Sequence, residues 1–182
     1  MSKIIDSVNE LSDEKIWENA SLNQLTDHII KEHHGFLYEQ LPKIIKLLTL
    51  ILKVHGDNHP ELRELHQLFH AMKIKIDKHL IKEERIIFPA VKEYEEGKNK
   101  SDIEKAINII DELKKEHADT TDILNDLKTV TDDYKIPEDV CGTFELTYQK
   151  LQTLESDLMR HIYFENNILF PRLIELMKQE IN

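Results

Sequence analysis

A chain of 182 residues can bury one sizeable core and is too short for a multi-domain machine. Its 24 Lys and Arg against 35 Asp and Glu give a formal net charge of −11, the wrong sign for a phosphate-binding surface, so nucleic acid is not an expected partner. Only 4 Gly and 5 Pro leave few turns and point to an all-α fold, while the single cysteine, Cys141, excludes an intramolecular disulfide, a paired-thiol redox centre and a Cys-rich metal site, and fits a reducing cytoplasm.

The N-terminal MSKIIDSVNE lacks the basic start and apolar block of a secretory signal, and no apolar run approaches the ~18 residues of a membrane span. No membrane association is expected. Residues 1–20, with Ile4, Ile5, Val8, Leu11, Ile16 and Trp17, read as a short amphipathic extension. Residues 21–180 read as one domain of four helices, each carrying the i, i+3, i+4, i+7 apolar period. The first opens at Ser21, whose spacing to Gln24 is that of a capping box, and runs to about Val54 before the VHGDNHP turn. The second runs from Pro60 to about Glu96, with a kink expected at Pro89. The third starts at a second capping box, Ser101 with Glu104, and ends near Lys128. The fourth is predicted to start after Pro137, with Glu138 and Asp139 in its first turn, and to run to about Lys178. Connections that are short except for the TVTDDYKI stretch make neighbours antiparallel, which predicts an up-down-up-down four-helix bundle.

The 10 histidines carry the chemistry. HLIKEERIIFP (79–89) and HIYFENNILFP (161–171) share His, Glu, Ile, Phe and Pro at the same offsets, an internal repeat 82 residues apart. Each copy sets a His four residues before a Glu, which on a helix is a rotation of only ~40°, so both side chains leave one face. His79 with Glu83, and His161 with Glu165, are therefore candidate chelating pairs. Leu65, Leu68, Met72, Ile76 and Ile86 place the first pair on a core stripe; Leu151, Leu154, Leu158 and Ile168 do so for the second. Polar groups on a core stripe are costly unless paired or coordinated.

The other two helices supply one histidine each. His34 continues the stripe of Leu37, Leu41, Ile45, Leu48 and Leu52, and His117 that of Ala106, Ile110, Leu113 and Leu124. His34 lies 45 residues before His79 and His117 lies 44 before His161, as in duplicated hairpins. From His34 to the turn at Gly56 is 22 residues, and from Pro60 back to His79 is 19; at ~1.5 Å per residue the two climbs nearly cancel, which brings the ligands to one height.

The same arithmetic sets other residues aside. His55 belongs to the turn, about 31 Å along the helix from His34. His66 and His70 have a chelating spacing but point away from His79, and read as surface. His33 is a weaker choice than His34 because its stripe meets Gln40, and His28 and His59 read as surface or capping residues. Phe88 and Phe170 read as core caps beneath the site, Lys75 and Asp157 as residues beside the ligands or along a channel, and Cys141 as a small hydrophobe on an apolar helix.

Four imidazoles and two carboxylates without a thiolate suit iron or manganese, and zinc less specifically. With Glu83 and Glu165 bridging, two ions would each take two His, two carboxylate oxygens and a bridging oxygen, leaving one position open on each.

The motifs KEHHGFLYEQLP, VHGD, HLIKEERIIFP, KKEH and HIYFENNILFPR together resemble the hemerythrin-like di-iron proteins of the repair-of-iron-centres (YtfE/ScdA) family, over about residues 21–175. The resemblance implies a hemerythrin-like four-helix bundle and an oxo-bridged pair of iron ions on His34, His79, Glu83, His117, His161 and Glu165. It implies repair of iron–sulfur clusters damaged by nitric oxide or oxidative stress, through iron donation or nitric oxide chemistry. The partners would be damaged iron–sulfur proteins and small molecules such as nitric oxide and oxygen, with a nitric oxide reductase-type reaction as one form of the activity. Many family members carry an N-terminal domain with a cysteine pair, and residues 1–20 here have none. Hemerythrins place a second His one turn after the third-helix ligand; here that residue is Thr121. The alternative is an oxygen or nitric oxide binding or sensing module of hemerythrin type. A ferritin-like oxidase is disfavoured because its ligands are Glu-rich with ExxH spacing.

Overall fold

The computed structural model describes residues 16–97 and 100–181, and all the regular structure among them is helical. The segments α1 (Leu22–His28), α2 (Gly35–His55), α3 (Glu61–Lys82), α4 (Phe88–Glu95), α5 (Lys100–Asn108), α6 (Ile110–Val130), α7 (Gly142–Phe164) and α8 (Phe170–Ile181) join in pairs into four rods. Three of the joints are π-helical, at Ile29–His34, Glu83–Ile87 and Glu165–Leu169. The first rod packs on the second and fourth, and the third closes the ring against the same two. With connections this short, that ring is the expected up-down-up-down bundle.

Local chemistry explains most of the ends. The Ser21 hydroxyl accepts from the Gln24 N–H at 3.1 Å, and Gln24 Oε1 accepts from the Ser21 N–H at 3.0 Å, the anticipated capping box. Glu95, at the end of the second rod, accepts from the Leu22 and Asn23 N–H groups at 2.7 and 3.1 Å, where the helix dipole favours a negative charge. The first rod ends at Gly56, where a Cβ would sit 2.4 Å from the Leu52 carbonyl oxygen and only glycine fits. Gly97 ends the second in the left-handed region, at φ 72°.

Two boundaries differ from the sequence expectation. The fourth rod starts at Gly142 with Cys141 as its N-cap in extended conformation, so Glu138 and Asp139 lie in the preceding turn and Glu145 is the first-turn carboxylate. The reason is the crossover from the third rod: Asp132, Asp133 and Tyr134 all take positive φ, Tyr134 buries its ring, and Pro137 serves that turn rather than starting a helix. The third rod is helical from Lys100, with a break at Ile109; the Ser101 side chain lies outside the described residues, as do residues 1–15 of the N-terminal extension. Where that extension is described, Arg172 ties it down, donating to the carbonyls of Trp17 at 3.1 Å and Ala20 at 2.7 Å.

The π joints decide which residues face the core. The Phe88 N–H donates to the Glu83 carbonyl, the Phe170 N–H to that of Glu165, and the Pro that follows each Phe has no N–H to give. The wider turn rotates everything downstream. In the first copy Ile86, expected on the buried stripe, is 39% exposed and Ile87 is fully buried, while in the second copy Ile168 keeps its buried place beside Leu169. The apolar core is split in two. One cluster holds Leu37, Phe69, Leu80, Leu124, Tyr148 and Leu158, the other Leu25, Ile29, Ile87, Leu113, Phe164 and Leu169. In every rod the boundary between them is marked by a buried histidine: His34, His79, His117 or His161.

Candidate metal centre

The polar layer contains all six side chains singled out from the sequence. Glu83 and Glu165 are wholly buried, and the four histidines are nearly so. They form two groups of four, His34, Glu83, His161 and Glu165, and His79, Glu83, His117 and Glu165, with the ligand atoms of each group within 4.8 Å of one another. Both carboxylates belong to both groups and divide their oxygens between them. Glu83 Oε2 lies 3.3 Å from His34 Nε2, and its Oε1 lies 3.1 Å from His79 Nε2. Glu165 Oε1 lies 3.0 Å from His161 Nε2, and its Oε2 lies 3.0 Å from His117 Nε2. His79 Nε2 and His117 Nε2 are 2.9 Å apart.

The second ring nitrogens of His34, His79 and His117 are held from outside. His34 Nδ1 is 2.8 Å from Glu84 Oε1, which also accepts from the Tyr38 hydroxyl at 3.0 Å. His79 Nδ1 is 2.9 Å from Glu116 Oε2, and Lys82 donates to the other oxygen of Glu116 at 2.5 Å. His117 Nδ1 is 3.0 Å from Asn166 Oδ1. An acceptor at Nδ1 fixes the proton there and turns the Nε2 lone pair inward, the tautomer a metal ligand needs. The sequence reading missed Glu84, Glu116 and Asn166. Their signal is positional: Glu84 and Asn166 follow the two core glutamates, and Glu116 precedes His117.

Inside the layer His34 Nε2, both oxygens of Glu83 and Glu165 Oε2 are buried without a hydrogen-bond partner. Leaving buried polar atoms unmade costs roughly 1–3 kcal/mol each, more for charges, so such a set fits an electrophile rather than a hydrogen-bonded core. The electrostatics agree. Burial works against charge on His79, yet the Glu83 and Glu165 carboxylates outweigh it and push the imidazole up to about 11. His161 is raised in the same way, burial opposing and Glu165 prevailing. Glu165 is held well below the carboxylate range: burial raises it, and the imidazoles of His161, His117 and His79 beside it overcome that.

The remaining sequence expectations divide. Phe88 and Phe170 are buried against the layer, Phe88 5.4 Å from the His34 ring and Phe170 stacked on His117 at 5.9 Å. Lys75 instead pairs with Asp119 at 3.0 Å on the surface. His66 meets Thr49 outside the core, and His70 is exposed, as expected. His28 and His59 are corrections: His28 stacks on Trp17 at 4.1 Å, and His59 is buried between Glu61, Asp139 and Phe144, because the tertiary turns fold over both. His33 is buried as well as His34, since the π joint brings both inward. Cys141 is exposed beside His55, 3.1 Å from Nε2, rather than packed as a hydrophobe.

A four-helix bundle crossed by four imidazoles and two shared carboxylates is a cation-binding helical module. Residues 25–173 match the model of the hemerythrin HHE cation binding domain, and the chain belongs to that family. It is 32% identical over 153 residues to the iron-sulfur cluster repair protein ScdA of Staphylococcus epidermidis, covering 84% of this chain and 67% of that protein. It is 34% identical over 161 residues to the iron-sulfur cluster repair protein YtfE of Enterobacter sp. strain 638, and equally to YtfE of Escherichia coli O81, covering 88% of this chain and 70% of each relative.

Proposed function

We propose that the chain holds two iron ions, joined by an oxo bridge, and uses them to repair iron–sulfur clusters damaged by nitric oxide or oxidative stress, in the cytoplasm. The observation that carries this reading is the division of Glu83 and Glu165 between two four-residue groups. His34 and His161 would hold one ion and His79 and His117 the other, with both carboxylates spanning the pair. The names of the relatives support the repair role, and damaged iron–sulfur proteins are the partners it requires. When bound, an iron pair would supply transferable metal and a redox-active site for a diatomic ligand such as nitric oxide.

The chain's own part is to hold and to shield. Glu84, Glu116 and Asn166 keep the Nε2 lone pairs inward, while Phe88 and Phe170 cover the layer from the second apolar cluster. Thr121 favours repair over reversible oxygen carriage. Its hydroxyl donates to the His117 carbonyl at 2.9 Å, so the third rod offers one imidazole and the two groups are alike. Two like groups leave neither ion saturated, which suits reaction or release better than storage.

The test adds iron-loaded protein to a nitric oxide-damaged iron–sulfur dehydratase and follows recovered activity. The wild-type chain restores it and the His79→Ala variant does not. Recovery no greater than with that variant overturns the repair role.

A further inference from the structure

One polar pair beside the layer joins His33 to Asp157, the residue read from the sequence as lying beside the ligands or along a channel. His33 is 97% buried, and its Nδ1 lies 2.9 Å from Asp157 Oδ1 on the fourth rod. Its ring stacks on His161 at 5.6 Å with an interplanar angle of 6°. Two atoms of the pair, His33 Nε2 and Asp157 Oδ2, are buried without a hydrogen-bond partner. On the outer side Asp157 lines a groove of about 640 Å³, with Phe36 from the first rod and Ser156 and Arg160 from the fourth. The pair therefore stands between an open groove and the face of a core histidine.

The other half of the bundle shows the contrast. Glu116 precedes His117 as His33 precedes His34, and each reaches toward the histidine of the neighbouring repeat, His79 or His161. Glu116 is saturated, with one oxygen on His79 and the other on Lys82. Phe170 and Phe88 cover two further sides. At His33 the equivalent position keeps an unmatched ring nitrogen, and its carboxylate partner keeps an unmatched oxygen. An apolar side chain would fill that volume without either penalty, and buried polar atoms of this kind are satisfied by water or a small polar ligand.

We propose that the His33–Asp157 pair is a hydrated port of the metal centre, through which water and small neutral hydrogen-bond donors pass between the groove and the ions. This rests on the metal-centre reading above. The port carries small hydrophilic species only, because His33 Nε2 and Asp157 Oδ2 accept hydrogen bonds beside the Phe164, His161 and His28 rings, with Phe36 in the groove outside.

Two measurements test it. In a crystal structure of the wild-type chain, whatever its metal content, solvent density lies within hydrogen-bond distance of His33 Nε2 and Asp157 Oδ2; a dry pair overturns the port. In the iron-loaded protein, binding of azide, supplied in mild acid so that neutral hydrazoic acid enters, is followed by stopped-flow absorption. Ser156→Trp, which plugs the groove from its exposed rim, and His33→Phe, which keeps the stacked ring without polar atoms, each slow azide arrival by about tenfold with iron content and final spectrum unchanged. Rates within about twofold of wild type in either variant overturn the proposal, since the route needs both groove and pair. Should the wild-type chain hold no iron pair, the proposed function fails, and the solvent measurement alone decides the port.

Discussion

Glu83 and Glu165 occupy equivalent places in the two halves of the bundle: each opens a five-residue π segment, and each turns one oxygen toward either group of histidines. Loss of Glu83 should therefore weaken both proposed ions, whereas loss of His34 touches one group only. Metal analysis of Glu83→Ala and His34→Ala is the check. The first should lose most of its iron and the second should retain the ion on His79 and His117. Equal losses would show that the two groups do not bind separately.

The acceptors behind the histidines should matter almost as much as the histidines. Glu84→Ala removes the partner of His34 Nδ1 at 2.8 Å, and Asn166→Ala that of His117 Nδ1 at 3.0 Å. Each should weaken metal binding by about 10–100-fold, with the fold intact. Competition against a chromogenic chelator measures this, and an affinity within about twofold of wild type would contradict it.

The π joint makes a prediction that helical periodicity reverses. Ile87→Ala empties a fully buried position and should cost about 2–5 kcal/mol, while Ile86→Ala, at 39% exposure, should fall within about 0.5 kcal/mol of wild type. Urea unfolding of the two variants decides it. The opposite order would mean that the turn is an ordinary α-helical one.

Without metal, the His79 and His161 imidazoles are held in their charged form. His79 titrates ordinarily near ~6.5 in the unfolded chain, so its contribution to stability is complete below that pH and is lost as pH rises toward about 11. Glu165, with its pKa lowered, contributes above the ordinary carboxylate range and loses this only in strong acid. The metal-free protein should thus melt at a lower temperature at ~pH 9 than at ~pH 6. Metal has to displace these protons, so uptake should release acid and tighten as pH rises. A melting temperature that climbs between those two pH values would refute the charged-imidazole account.

Cys141 should behave as a reactive thiol. The hydrogen bond with His55 across the bundle end, helped by backbone N–H groups at the start of α7, lowers it to about 7. The rate of alkylation by iodoacetamide should rise with a midpoint near that pH, and His55→Ala should move the midpoint toward ~8.5. An unmoved midpoint would assign the shift to the helix end alone.

Much of this molecule is legible in one dimension. The four rods, the Ser21 cap and the shared height of six side chains follow from periods and spacings, because an α-helix converts residue number into length and angle. His34, His79 and their counterparts could be grouped by counting alone. Counting fails where the helix departs from its own period. At Glu83–Ile87 a proline without an N–H follows a core phenylalanine, the turn widens, and Ile87 replaces Ile86 on the inside. It fails also where one rod meets another: the burial of His33 on Asp157, the clasp of Glu84 on His34 and the approach of His55 to Cys141 depend on how neighbouring rods are rotated. That rotation is set by the packing of whole apolar faces, which no local stretch of residues contains.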